Sequence, residues 1–457
     1  MEKAPKKFRM FDAVLTVICI VFVAEAAAPV ATLGNSQYFW WIALIILYLI
    51  PYGLIAAELG TAYQGEGGLY NWVRKAYGDK WASREAWYYW VNYPIWKASL
   101  AVMFPQIIEI IIGKPIGAAG TLLIELAFIW LIVLISFFRV SDSAWILKGS
   151  AAVKIFLALT VGILGIYCAL HNGIANEFTV KSFLPRFDLK SLSYLAVILF
   201  NFHGFEIIST MADTMEKPSK QIPKAIITGG LVIALIYIFT AFGIGVAIPS
   251  NEISTSTGLI DSIQLLTGGK NGGFLIFMSV LFLITLIGNM IAWALGANSV
   301  AAYAAEQGDM PKVFASRFKK TGMPKGASIM NGVIASVIVI IALVIPNKNL
   351  FWSFFALNLV MILLAYALVF PAFLKLRKTD PDGRRPFKVS GKKWFIRMFA
   401  VVPFVLTLMA AGFLVIPFST SKQALMEVLP VTIGAIIFIL IGEMIVLRCK
   451  YKKNKIK

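Results

Sequence analysis

Long, almost uncharged apolar runs recur along the chain, among them 40–57, 155–170, 226–248 and 431–447. A helix needs about 20 such residues to cross about 30 Å of hydrocarbon, and strands would be shorter and would alternate. The pattern predicts an all-α integral membrane protein of about twelve transmembrane helices. Their expected positions are 12–33, 38–62, 85–113, 118–138, 147–170, 191–213, 223–248, 272–305, 327–346, 349–374, 396–417 and 429–447. The first apolar run follows a basic stretch, Met1–Met10, and passes into the second without a small-residue cleavage site. The N-terminal segment is therefore expected to be retained rather than removed as a signal peptide.

Two spans interrupt this rhythm. The first contains Val23-Ala24-Glu25-Ala26-Ala27-Ala28-Pro29, a carboxylate near mid-membrane with a proline behind it. The sixth contains Asn201-Phe202-His203-Gly204-Phe205-Glu206, polar groups, a glycine and a second carboxylate at similar depth. Interruptions at corresponding places in two halves predict an inverted repeat whose half-helix ends line a site at the midplane. Unwound backbone at that depth is tolerated only where it faces a cavity. The expected organisation is an N-terminal segment 1–11, a first repeat 12–170, a second repeat 191–374, two further helices 396–447 and a basic tail 448–457.

Composition agrees with a membrane solvent. The 457 residues are 59% hydrophobic and 14% charged, with a mean hydropathy of +0.80, whereas a soluble domain is about a quarter charged. The net charge of +19 would suggest nucleic acid in a soluble protein, so where the cations sit decides its meaning. They sit in alternate loops. Of the 42 Lys and Arg, seven fall in odd-numbered loops and Lys97 and Lys154 lie deep within spans. The rest occupy the termini and lie in or beside the even-numbered loops, which places both termini in the cytoplasm by the positive-inside rule. No nucleic-acid partner is needed, although the tail Arg448–Lys457 can hold anionic lipid. The three cysteines, Cys19, Cys168 and Cys449, are far apart, and the only histidines are His171 and His203. Neither a disulfide framework nor a metal site is expected, and no cofactor motif is present.

Three separated motifs carry a family resemblance. They are Gly65-Glu66-Gly67-Gly68-Leu69-Tyr70-Asn71-Trp72-Val73, then Gly204-Phe205-Glu206 followed by Glu216-Lys217-Pro218 and Ile222-Pro223-Lys224-Ala225, and last Ala305-Glu306-Gln307-Gly308-Asp309-Met310-Pro311. In these the chain resembles the amino acid–polyamine–organocation (APC) transporter superfamily, closely over spans one to ten and loosely over the last two. The resemblance implies a LeuT-like five-plus-five inverted repeat with broken first and sixth helices, working by alternating access. It also implies exchange chemistry like that of bacterial arginine–agmatine or agmatine–putrescine antiporters.

Candidate site residues follow from both lines. An ionised carboxylate in mid-membrane costs from about 2.5 to over 10 kcal/mol, so Glu25 must pair with something or line water. Related amino-acid exchangers are similar to one another in a Gly-Ser-Gly stretch whose bare amides hold the substrate carboxylate. Here the corresponding stretch is Val23-Ala24-Glu25, and a negative side chain there repels a carboxylate and attracts an ammonium, with Ala24 and Ala26 as the candidate site residues on either side of Glu25. The other reading makes Glu25 a structural partner of a lysine. Glu206 occupies a place where family members carry an acidic residue, and it either binds substrate or braces the broken helix through backbone amides. Asp213 shares its helical face and reads as a gate or cap. His203, beside Gly204, either titrates with transported protons or serves as a fixed hydrogen-bond partner. Asn201 can bond an amine, and Phe200 resembles the aromatic gate of related exchangers.

Among many aromatic residues, Trp293 and Tyr93 are the expected cation contacts, each ring face contributing about 0.5–2 kcal/mol. Trp293 resembles the substrate-stacking tryptophan of arginine–agmatine exchangers, and Asn289, one turn before it, adds a polar contact. Lys154 resembles the lysine that replaces the sodium ion in sodium-independent relatives, the alternative being a side chain that snorkels to the interface. Lys97 is expected to pair with a carboxylate such as Glu25 or Glu206.

The leading expectation is a secondary transporter, an exchanger or proton-coupled importer of a small cationic amine such as putrescine or agmatine. The alternative is a sodium-independent carrier of zwitterionic amino acids in which a Glu25–Lys97 pair is electrically silent. A channel needs a continuous polar lining and an embedded enzyme a catalytic cluster, and neither is visible in the sequence. The expected location is a bacterial plasma membrane, with monomer and homodimer both open.

Overall fold

A computed structural model describes residues 10–456, apart from 66, 139, 207, 209–214, 270–271, 346–348, 418 and 420. The chain is all-α. In order the helices are α1 (Met10–Val21), α2 (Ala27–Ala31), α3 (Ser36–Leu44), α4 (Ile50–Ala62), α5 (Leu69–Tyr77), α6 (Asp79–Ile112), α7 (Ala118–Ile135), α8 (Val140–His171) and α9 (Leu189–Phe200). They continue as α10 (Pro218–Ala247), α11 (Gly258–Leu266), α12 (Gly273–Glu306), α13 (Lys325–Ala342), α14 (Leu350–Ala367), α15 (Val369–Thr379), α16 (Lys393–Val415) and α17 (Lys422–Ile456).

Among the described residues ten helical stretches are long and apolar enough to cross a membrane, and these match ten of the expected spans. The remaining two, the first and the sixth, are the interrupted ones. In the first, α1 ends at Val21, Val23 is extended (φ −125°, ψ 115°), and a short 3₁₀ turn, Ala24–Ala26, precedes α2. The freed backbone at the break needs partners in a dry interior. Tyr237 of α10 supplies both, its hydroxyl accepting from Val23 N and donating to Val23 O, each at 2.9 Å. In the sixth, α9 stops at Phe200, and Gly204 adopts φ +97°, a conformation that side chains rarely allow. The Gly204 amide donates to the Tyr366 hydroxyl at 2.8 Å.

The core lies where α6 packs against α12 and α14, and where α1, α8 and α10 meet. Small residues bring helices together closely, as is usual where apolar lipid gives no separate drive to associate. A Cβ on Gly165 of α8 would come 2.6 Å from Gly243 Cα of α10, and one on Gly243 would come 2.2 Å from Val161 O.

One rim of the bundle is tied by charge. Two of the separated motifs meet there, since the Tyr70 hydroxyl donates to Asp309 Oδ2 at 2.6 Å. Lys453 of α17 reaches Asp309 Oδ1 at 2.5 Å and Asp79 Oδ2 at 2.7 Å. Beside them Arg377 and Arg385 pair with the buried Glu58. Asp380, just beyond α15, accepts from the Tyr63 hydroxyl at 2.8 Å, and this bond with the nearby Lys75 holds its carboxyl below the usual range.

Candidate substrate site

The break in the first span places Glu25 in the interior, 1% exposed, on the turn between α1 and α2. Its flanks Ala24 and Ala26 are also buried. Asn289 of α12 donates one amide nitrogen to both carboxylate oxygens, at 2.9 and 2.8 Å. This bond holds the carboxylate in place without neutralising it. One turn further along α12, Trp293 Nε1 donates to Ile20 O at 3.2 Å, so the indole lies against the end of α1.

Trp293 gathers the sixth-span break as well. Phe200 lies nearly parallel to it, ring centroids 6.5 Å apart, while Trp96 meets it edge-on at 5.5 Å. A Cβ on Gly204 would approach the indole to 3.3 Å, so glycine at this position also lets backbone and ring stand close. Asn201 is fully buried, and neither atom of its amide has a hydrogen-bond partner among the described residues. Buried amides normally do.

Glu206 lies on the other side of Tyr89, in a cage of phenols. Tyr366 and Tyr89 donate to Oε1 at 2.7 and 3.0 Å, and Tyr52 donates to Oε2 at 2.8 Å. Three hydroxyls, not backbone amides alone, therefore hold this carboxylate. Nothing in the sequence reading singled out Tyr52, Tyr89 or Tyr366. His203 is part of the same packing, stacked on Tyr366 at 3.8 Å, with Nε2 2.5 Å from the Tyr48 hydroxyl.

Other expectations need correction. Lys97 is buried but is paired with neither Glu25 nor Glu206, and its ammonium stands 4.7 Å over the Tyr93 ring, one turn back on α6. That contact occupies a Tyr93 face expected for substrate, and the Tyr93 hydroxyl is engaged by Met290 O at 2.6 Å. Lys154 does not snorkel. It is buried, and its ammonium donates to Phe22 O at 2.9 Å, on the freed backbone of the first break and within electrostatic reach of Glu25. Asp213 lies outside the described residues. A cavity of about 840 Å³ lies elsewhere, between α13, α14 and α17, and is lined almost wholly by apolar side chains such as Ile338, Leu357 and Phe438. It offers a charged ligand nothing.

The arrangement thus brings Glu25, Asn289, Trp293, Phe200 and Gly204 into one buried constellation, with Asn201 also buried next to Phe200. Glu206 and His203 form a second cluster, which Tyr89 and Tyr366 join to the first. Such a group is suited to holding a small organic cation by charge and ring faces rather than to bond-making chemistry. Comparison with known proteins agrees in class. The amino acid permease profile matches residues 8–441. The chain is 56% identical to a probable agmatine/putrescine antiporter, AguD, of Lactococcus lactis, over 98% of this chain and 96% of that one. It is 25% identical to a probable polyamine transporter of Arabidopsis thaliana, over 92% of this chain and 79% of that one. In fold it is similar to MhsT, solved in complex with L-phenylalanine, with a TM-score of 0.56, 14% identity, and coverage of 94% of this chain and all of that one. This chain, with its LeuT-like helical scaffold broken in the first and sixth spans, belongs to the amino acid permease family of membrane transporters.

Proposed function

We propose that this transporter exchanges small cationic amines of the agmatine and putrescine class across a plasma membrane, with both termini in the cytoplasm. The observation that carries the reading is Glu25. A carboxylate fixed by a neutral amide at a buried helix break, with no ion pair among the described residues, keeps its charge available for an incoming ammonium. Trp293 supports it with a ring face next to the same break. The substrate named for the 56% identical relative is of this kind. Glu25, Asn289, Asn201, Phe200, Gly204 and Trp293 would form the site, with Lys154 standing in place of a sodium ion. The zwitterion alternative rested on a Glu25–Lys97 pair, and Lys97 stands over Tyr93 instead.

The test is calorimetric binding of putrescine and agmatine, and of ornithine and arginine, to the wild type and to Glu25→Gln at fixed pH. Amines should bind the wild type and weaken in the variant. Amine affinity unchanged in a folded Glu25→Gln protein, or amino acids binding better than their amines, would end the cation-site reading.

A further inference from the structure

Among the described residues, a fully buried carboxylate has no task in the central constellation. Glu85 of α6 is 0% exposed, and neither of its oxygens has a hydrogen-bond partner among the described residues. By contrast Glu25 is held by Asn289, Glu206 by three tyrosines, and Glu58 by two arginines. An ionised carboxylate in a dry interior is costly until a cation completes it.

Its place along α6 is informative. Asp79 and Ser83, at the start of the helix, belong to the charged rim, where the Ser83 hydroxyl donates to Asp309 O at 2.6 Å. Tyr89 bonds Glu206, and Trp96 meets Trp293. At 1.5 Å per residue, Glu85 lies about 9 Å inward from Asp79 and about 6 Å short of Tyr89. It therefore stands between the rim and the Glu206 cage, within electrostatic reach of both Glu206 and Tyr89.

Glu85, Tyr89, Asn92 and Trp96 recur at i, i+4, i+7 and i+11 and so share one face of α6. The same face carries further buried polar atoms without partners among the described residues, Asn92 Oδ1 and Trp96 Nε1. On α14, packed along α6, both amide atoms of buried Asn358 are likewise unmatched. Interior polar groups are normally satisfied, so a line of unmatched ones marks ground that another species crosses.

We propose that Glu85 is a second, transient docking site for the ammonium or guanidinium end of the amine, between the Glu206 cage and the charged rim. When the phenols release Glu206, a cation leaving Glu25 meets a second carboxylate before it reaches water. The step avoids a naked charge in low dielectric between the cage and the rim. The inference rests on the cationic-amine reading of the central site.

The test uses full-length protein oriented in proteoliposomes, with putrescine presented from one face at a time. In Glu85→Gln the KM on the rim face should rise about ten-fold, the loss expected for one charge-assisted contact. The KM on the opposite face should stay within about two-fold of wild type, and Glu85→Asp should recover part of the loss. Equal KM values on both faces, an equal rise on both, or a changed pH profile with unchanged KM, the mark of a proton site, would each overturn the proposal. A measurement on the wild type covers the case in which the Gln variant does not fold. Carbodiimide labelling of Glu85, read by mass spectrometry, should fall when putrescine is present, and undiminished labelling counts against it. Wild-type protein that binds no amine ends both readings, whereas amine binding with a symmetric, unprotected Glu85 ends this one alone.

Discussion

The two helix breaks use the same element, a buried carboxylate on unwound backbone, and solve its burial in opposite ways. At the first break the one side-chain donor to Glu25 among the described residues is the Asn289 amide, and the surrounding backbone is braced separately by Tyr237 and by Lys154. At the second, Glu206 receives three phenol hydroxyls from α4, α6 and α14. A carboxylate has about four acceptor sites. Most of those on Glu206 are filled by groups that also tie three helices to the break, so opening this region means breaking those bonds. Glu25 has sites to spare, and its support does not depend on its own oxygens. Charge alone therefore does not distinguish a ligand from a latch, but the donors around it do.

The largest expected effect separates the two directly. Glu25→Gln keeps shape and deletes a charge-assisted contact, so amine affinity should fall by about 1.5–3 kcal/mol, ten-fold or more. Glu206→Gln should change amine affinity less and lower thermal stability more, because Gln offers one acceptor oxygen to three donors. Calorimetry with thermal denaturation on both variants checks this. The contrast between the breaks is gone if Glu206→Gln costs as much affinity as Glu25→Gln.

Next in size is Trp293, which touches both breaks. Trp293→Ala should weaken amine binding by about 1–2 kcal/mol, and Trp293→Phe should keep part of that energy because a smaller ring face survives. Wild-type affinity in both variants would make the indole packing and move the pocket elsewhere.

Much of this was legible before the fold. Hydropathy located the spans because a bilayer imposes length and composition on each helix independently of its neighbours. The breaks showed as Glu25 and as Gly204-Phe205-Glu206, since charge and glycine stand out in apolar surroundings. The phenol cage did not show, because Tyr52, Tyr89 and Tyr366 come from three distant helices and each reads as one more aromatic packing residue. A signal existed: a buried tyrosine hydroxyl seeks a partner, and spans with tyrosines and few acceptors imply one supplied from elsewhere. Lys97 was misread for a related reason. Its partner was sought among charges, and it found the Tyr93 ring one turn away on its own helix.

A smaller effect tests the latch itself. Tyr52 meets Glu206 through one bond at 2.8 Å, which makes Tyr52→Phe a cleaner change than Tyr366→Phe, whose hydroxyl also accepts from Gly204 N. The loss should be about 0.5–1.5 kcal/mol of thermal stability. In a double-mutant cycle with Glu206→Gln the two losses should fall short of adding. Additive losses would mean that Tyr52 stabilises α4 by packing alone.

The smallest expected effect is none. Lys154 places its ammonium on Phe22 O, a backbone carbonyl freed where α1 ends, and carbonyls at the end of a half-helix carry partial negative charge and are where a coupling cation would bind. With that carbonyl already engaged by a fixed ammonium, the position that a coupling sodium ion would take on the half-helix end is filled. Initial rates of amine exchange in proteoliposomes should therefore be the same in sodium, potassium and choline media of equal ionic strength. Lys154→Met should impair exchange even so, because the Phe22 carbonyl is then left in the interior without its donor. A steep sodium dependence in the wild type would show that the first break is open to an ion, and the contrast drawn between a braced, chargeable first break and a latched sixth would lose its brace.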